Sequence, residues 1–190
     1  MLDEVDLSKV IKKYGEDTQA RKIAHAIVQA RAAYGRIATT KQLAAIVENV
    51  CTMSRDKLGR YSHPATKLFQ ALRIFVNNEL NELNAALEIA HTFLKPGGLC
   101  IAITFHSLED RIVKRHFHDI DLDEEKNLSL KQKLRNVQVV DTVEELQYLT
   151  EKRWKPVNKK VLTTDENEVE DNPRSRSAKL RAAIKSSQSV

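Results

Sequence analysis

Cysteine is nearly absent from this 190-residue chain. Cys51 and Cys100 are too few for a disulfide framework or a four-ligand zinc site, and a reducing compartment fits that usage. Glycine is scarce as well. Gly15, Gly35, Gly59, Gly97 and Gly98 build neither a G-x-G-x-x-G turn nor a P-loop, which excludes the usual glycine cradles for nucleotide phosphates. Charges interrupt every apolar stretch, and none approaches the roughly 18 residues that a spanning helix needs. The first residues, Met1 to Asp6, are acidic and lack an apolar run, so neither a secretory signal nor an Arg-rich transit peptide is visible there.

What the chain does contain is a balance of 42% apolar and 30% charged residues, that of a soluble globular protein. Its length suffices to bury about two-thirds of the unfolded surface, in one domain or two small ones. The formal charge is +5 and unevenly spread. Arg55, Lys57, Arg60, Lys67 and Arg73 face only Asp56 in their stretch. Arg174, Arg176, Lys179, Arg181 and Lys185 follow Asn172 with no acid among them. Between them, from Asp119 to Glu145, acids outnumber bases eight to four. Two basic stretches around an acidic insert suggest a polyanion partner such as RNA; the plain alternative is ordinary surface patchiness.

The first two-thirds reads as helical. Asp6 is placed to cap a helix from Leu7 to Tyr14, and Gly15 interrupts it. Thr18 opens a segment in which Ala20, Ile23, Ala24, Ile27 and Val28 recur at helical intervals up to Gly35. Thr39 and Gln42 have capping-box spacing ahead of Leu43, Ile46 and Val47. After a loop from Cys51 to His63, Pro64 starts a stripe that runs from Leu68 to Leu94, with a kink expected near Asn77–Asn78. At Lys95-Pro96-Gly97-Gly98 the helix must stop. Leu99 to Phe105 is a nearly continuous apolar run, as in a strand buried on both faces, and Ser107 with Asp110 has the form of a cap for a helix up to Phe117. Helix, glycine turn, buried strand and helix are the grammar of a parallel α/β sheet. Residues from about 119 to 151 read as a polar surface insertion, partly disordered. Segments 158–163 and 177–184 are short strand candidates able to pair antiparallel.

Chemistry concentrates after the apolar strand. Phe105, His106, Ser107, Glu109 and Asp110 lie where open α/β sheets hold ligands, at a strand's carboxyl end beside a helix N-terminus. Phe105 can stack on a flat base and His106 can hydrogen-bond or accept a proton. The bland alternative has Ser107 and Asp110 capping a helix and Phe105 filling the core. His116 and His118 would lie on different faces of a helix with no third ligand in zinc spacing, so no metal site is read. The Thr39 to Val47 segment is similar to the first helix of a helix-turn-helix, but no convincing recognition helix follows.

Several strings resemble one family, the small-subunit ribosomal RNA cytosine-N4 methyltransferases known in bacteria as RsmH or MraW. These include Tyr14-Gly15-Glu16, Ala24-His25-Ala26-Ile27-Val28, His63-Pro64-Ala65-Thr66-Lys67, and Phe69-Gln70-Ala71-Leu72-Arg73-Ile74. Further along come Leu94-Lys95-Pro96-Gly97-Gly98, the specific run Phe105-His106-Ser107-Leu108-Glu109-Asp110-Arg111-Ile112-Val113-Lys114-Arg115, and Asn172-Pro173-Arg174-Ser175-Arg176-Ser177. Asn77 to Leu83 and the acidic insert look more like the animal mitochondrial branch, the methyltransferase-like relatives.

The resemblance implies an α/β fold, part of a class I (Rossmann-like) methyltransferase sheet with an inserted helical domain. Residues 1–62 are then expected to be the inserted domain and 63–190 the C-terminal part of the methyltransferase domain. The implied activity is transfer of a methyl group from S-adenosylmethionine to a cytidine N4 of small-subunit ribosomal RNA. The mitochondrial matrix is the implied location, with the cytoplasm as alternative. The family's cofactor loop and ribose-binding acid match no residue here, so the chain looks like the C-terminal half to two-thirds of the enzyme, with its cofactor contacts expected upstream. His106 and Phe105 are the catalytic candidates, and Arg73, Arg111, Arg174 and Arg176 the RNA-phosphate candidates. A non-catalytic RNA-binding or ribosome-assembly role is the rival reading.

Overall fold

The computed structural model describes residues 2–52, 54–55, 61–120, 152–158 and 160–187. All but the first two residues of the expected insertion at 119–151 lie outside them. The chain divides into two compact units, Met1–Glu79 and Leu80–Val190.

The first unit is helical. Helix α1 (Glu4–Gly15) is capped by Asp3, whose carboxylate accepts from the Asp6 amide at 2.7 Å, so Asp6 stands inside the first turn rather than at the cap. Helix α2 (Ala20–Tyr34) ends at Gly35, and α3 (Thr40–Val50) opens with the expected reciprocal cap. Gln42 N–H donates to Thr39 Oγ1 at 3.2 Å, while Gln42 Oε1 accepts from the Thr39 amide at 3.1 Å. Strands β1 (Ser54–Arg55) and β2 (Tyr61–Ser62) pair antiparallel, and α4 (Thr66–Asn77) follows. The helices enclose Leu7, Ile11, Ile23, Ile27, Val47 and Leu68, each buried. Every such side chain contributes roughly 1.5–3 kcal/mol of burial. Gly15 is required by the packing, because a Cβ there would lie 2.7 Å from the Lys67 carbonyl oxygen of α4.

The long stripe after Pro64 is two helices rather than one kinked helix. Asn78 adopts φ +54, the left-handed region that its short polar side chain tolerates, and α5 (Glu79–Phe93) starts beyond it. The second unit then holds β3 (Leu99–Thr104), α6 (Ser107–Phe117), β4 (Trp154–Pro156), β5 (Leu162–Thr163), a short helix α7 (Glu166–Asp171), a 3-10 turn (Ser175–Ser177) and β6 (Lys179–Lys185). Strand β6 is central. It pairs antiparallel with β3 from Leu99↔Ile184 to Thr104↔Lys179, and its other edge carries β4 and β5 in succession.

Two sequence expectations change here. The parallel grammar gives way, among the described strands, to antiparallel pairing, because β6 returns beside β3 instead of crossing over. Nor is β3 buried on both faces. Cys100 and Ala102 pack against the cluster of Leu87, Val113, Phe117 and Trp154 and Thr104 is buried, whereas Leu99, Ile101 and Ile103 are at least half exposed. One face of the sheet is covered by α5 and α6; a continuous apolar run cannot say how many faces its own chain will cover. The architecture is therefore mixed α/β with a small antiparallel sheet. The 158–163 and 177–184 segments do pair, as β5 with β6, over narrower limits. Strand β4 escaped the sequence reading because Lys155 and Pro156 break its apolar pattern.

Candidate functional site

The chain leaves β3 at Thr104 and turns through Phe105 and His106 into α6. His106 is the N-cap residue, one position earlier than the Ser107 cap expected. Glu109, three residues on, reaches back: its Oε2 accepts from the Phe105 amide at 2.9 Å and from the His106 amide at 3.3 Å. The partner oxygen Oε1 stands 3.1 Å from His106 Nε2. That separation suits an ion pair, but neither ring nitrogen of His106 meets a well-aligned hydrogen-bond partner among the described residues. One carboxylate thus holds the backbone of the turn and steadies the imidazole. The His106 contact and then the Phe105 and His106 amides hold the Glu109 carboxyl below its ordinary range, against the opposing effect of burial.

Asp110, released from capping, serves another purpose. It accepts two hydrogen bonds from Arg181 of β6, from Nε at 2.7 Å and from a terminal guanidinium nitrogen at 3.1 Å, with Lys179 Nζ 3.6 Å away. Burial alone pushes its pKa up, but the Arg181 hydrogen bonds and the two positive charges outweigh it and leave the carboxyl below its ordinary range. The pair ties the first turn of α6 to the central strand.

Side-chain directions in the turn differ. Phe105 continues the exposed face of β3 and is 56% exposed, so it does not fill this chain's core. The His106 side chain is only 16% exposed and lies against Glu109. Strand register brings further candidates to this end of the sheet. Because Lys179 pairs with Thr104, the turn just ahead of β6, which carries Arg174 and Arg176, lies at the end from which Phe105 and His106 emerge. Both arginines are exposed, as is Arg111 in α6. Arg73 belongs to the first unit, where its guanidinium is engaged by Glu79 through bonds of 2.7 and 2.9 Å.

Sequence reasoning placed Glu109 in the candidate turn without giving it a role, and it singled out neither Arg181 nor Lys179 for this site. The signal for Glu109 was present: it stands three residues after the residue that caps α6. Arg181 had no local signal, since its partner lies 71 residues away. His116 is buried against Trp154 and Phe117, with Nδ1 3.5 Å from Glu88 Oε1. The turn offers a flat exposed ring, a sheltered imidazole with a carboxylate beside it, and a rim of arginines. Such a set suits a planar, polar ligand attached to a polyanion.

The chain is also similar to known proteins. A family model described as the MraW methylase family matches residues 1–186. The chain is 50% identical over 193 residues to the 12S rRNA N(4)-cytidine methyltransferase of Mus musculus, covering 97% of this chain and 47% of that protein. It is 48% identical over 186 residues to a probable methyltransferase-like protein 15 homolog of Drosophila melanogaster, covering 97% and 52% respectively. It is 42% identical over 181 residues to the ribosomal RNA small subunit methyltransferase H of Rhizobium johnstonii, covering 95% and 48%. The chain spans about half the length of these curated relatives.

Proposed function

The chain belongs to the MraW methylase family, and on that premise we propose that it serves methylation of the exocyclic N4 of a cytidine in small-subunit ribosomal RNA. The observation that carries the reading is the β3–α6 turn, where Phe105, His106 and Glu109 stand together within the family match. N4 needs no covalent attack on the ring; it must be presented in line with the methyl group, and the base must be unpaired to reach it. In this proposal Phe105 supplies a wall for the base. His106, backed by Glu109, contacts the amine and takes up its proton. Arg111, Arg174 and Arg176 hold phosphates, with Arg73 a further contact on the helical unit.

A family of this kind uses S-adenosylmethionine as methyl donor. The described glycines do not form a cradle for it. Gly15 and Gly98 are filled by the chain's own backbone, with carbonyls 2.7 and 2.8 Å from where a Cβ would stand, and Gly35 and Gly97 make open turns at positive φ.

The proposal extends to architecture and place. Residues 1–62 are assigned to an inserted helical domain and 63–190 to part of a class I, Rossmann-like methyltransferase domain whose first helix, α4, packs into the core of the helical unit. The 12S rRNA named for the mouse relative supports small-subunit rRNA as partner and the mitochondrial matrix as location. No described helix is long and apolar enough to cross a membrane.

The test is a chimaera in which this chain replaces the matched segment of the mouse relative. Single-turnover methyl transfer to small-subunit rRNA, read by mass spectrometry of released nucleosides, should persist. His106→Ala in that chimaera should slow it by roughly 10²-fold or more with an unchanged melting curve. A folded chimaera that makes no N4-methylcytidine would overturn the reading.

A further inference from the structure

The turn between α2 and α3, on the helical unit, gathers a second set of groups suited to nucleic acid. From Thr18 to Val47 the chain carries Arg21, Lys22, Arg31, Arg36 and Lys41 and not one Asp or Glu. Tyr34, the last residue of α2, is 90% exposed. It stands seven residues beyond Ile27, on the stripe whose earlier members Ile23 and Ile27 are buried, so the stripe continues past its own core into solvent. Gly35 turns the chain at φ +79, and a Cβ there would meet nothing within 4 Å, so the ground beside Tyr34 is open. Arg36 and Lys41 are both exposed and flank the turn. The nearby acids at the start of α1 are engaged elsewhere: Glu4 with His25 at 3.1 Å, and Asp3 with the Asp6 amide.

Exposed aromatic rings are worth little to a solvated helix end, yet they stack on any unpaired base; neighbouring cations add affinity for the strand's phosphates. We propose that Tyr34, Arg36 and Lys41 form a docking surface for single-stranded RNA, with Tyr34 stacking on a base and the two cations meeting flanking phosphates. This surface deepens the proposed ribosomal RNA function and rests on it, because a cytidine presented for N4 chemistry leaves its neighbouring strand unpaired. A protein partner would use the tyrosine as well, but a 30-residue stretch with no acid favours a polyanion.

The test titrates a short fluorescein-labelled single-stranded RNA of mixed sequence with the whole chain and follows anisotropy across a range of salt. Tyr34→Ala should weaken binding by about 5- to 30-fold, the scale of one lost base stack, while Tyr34→Phe keeps wild-type affinity. Arg36→Ala with Lys41→Ala should lower the slope of log affinity against log salt by about 1.4, at roughly 0.7 for each single-strand phosphate. All three positions are exposed, so melting temperatures should hold. Unchanged affinity in Tyr34→Ala together with an unchanged slope in the double variant overturns the surface. If Arg174→Ala with Arg176→Ala then still weakens binding, the ribosomal RNA function stands and only this surface falls. A Tyr34→Phe chain as weak as Tyr34→Ala overturns stacking and assigns the loss to a hydrogen bond of the hydroxyl. A chain with no affinity for the RNA overturns both proposals.

Discussion

Asp110 and Arg181 close a loop of 71 residues with two hydrogen bonds, 2.7 and 3.1 Å long, that fasten the first turn of α6 to the strand at the centre of the sheet. Both side chains are 13% exposed, so the pair is sheltered rather than superficial. Together with the β3–β6 pairing that ends at Thr104↔Lys179, it sets where the Phe105–His106 turn stands.

Asp110→Ala should therefore destabilise the second unit by about 2–4 kcal/mol, because it strands a buried guanidinium. Trp154 is the chain's single tryptophan and is fully buried in that unit, so its fluorescence in a urea titration reports the loss. Replacing both partners, Asp110→Leu with Arg181→Met, should recover most of it. The Asp110 pKa lies below its unfolded value, so the unfolded chain binds the proton more readily. The pair's contribution is then full above about pH 4 and fades as pH falls further. A double variant as unstable as Asp110→Ala would show that the charge pair is not the cause.

The same unit should weaken at a milder pH. Burial pushes His116 below its ordinary range, and Arg153 and His91 add to that, while Glu88 and Asp119 oppose it. A folded pKa below the unfolded one means stability that is present above about pH 6.5 and is lost as pH falls. His91 and His118 are lowered by burial in the same direction. The urea midpoint read from Trp154 should be lower at pH 5.5 than at pH 7.5, with a smaller difference in His116→Gln. Equal midpoints at the two values would refute it.

Gly15 tests the helical unit. Gly15→Ala forces a methyl group against the Lys67 carbonyl at 2.7 Å and the Ala71 side chain at 3.3 Å. Helices α1 and α4 must separate, at an expected cost of about 1–3 kcal/mol, visible as a lower melting temperature by circular dichroism. Gly35→Ala meets no neighbour, and only its positive φ opposes it, so its loss should be smaller.

Arg174 and Arg176 stand just ahead of β6 and are exposed. Changing both to Ala should weaken RNA binding across sequences and lower the salt slope by about 1 to 2. If they only pin the last strand, melting temperature falls and affinity per folded molecule stays the same.

Local chemistry was legible in the sequence wherever its cause is local. The capping box of Thr39 and Gln42, the break near Asn77–Asn78, the strand after Gly98 and the helix up to Phe117 each depend on residues within a few positions of one another. The F-H-S-L-E-D-R run located the candidate turn for the same reason. Tertiary structure decided the rest. Whether Asp110 caps α6 or holds Arg181 depends on a strand 71 residues later, and moving the cap to His106 left Glu109 to hold the turn. The apolar run of β3 is compatible with one covered face or two, and only the packing of α5 and α6 fixed which residues are exposed. Arg174 and Arg176 came to the same end as Phe105 through antiparallel register, which no residue in that basic stretch announces. Backbone hydrogen bonds and caps act over a turn of helix, whereas register and burial are set by which surfaces the folded chain brings together.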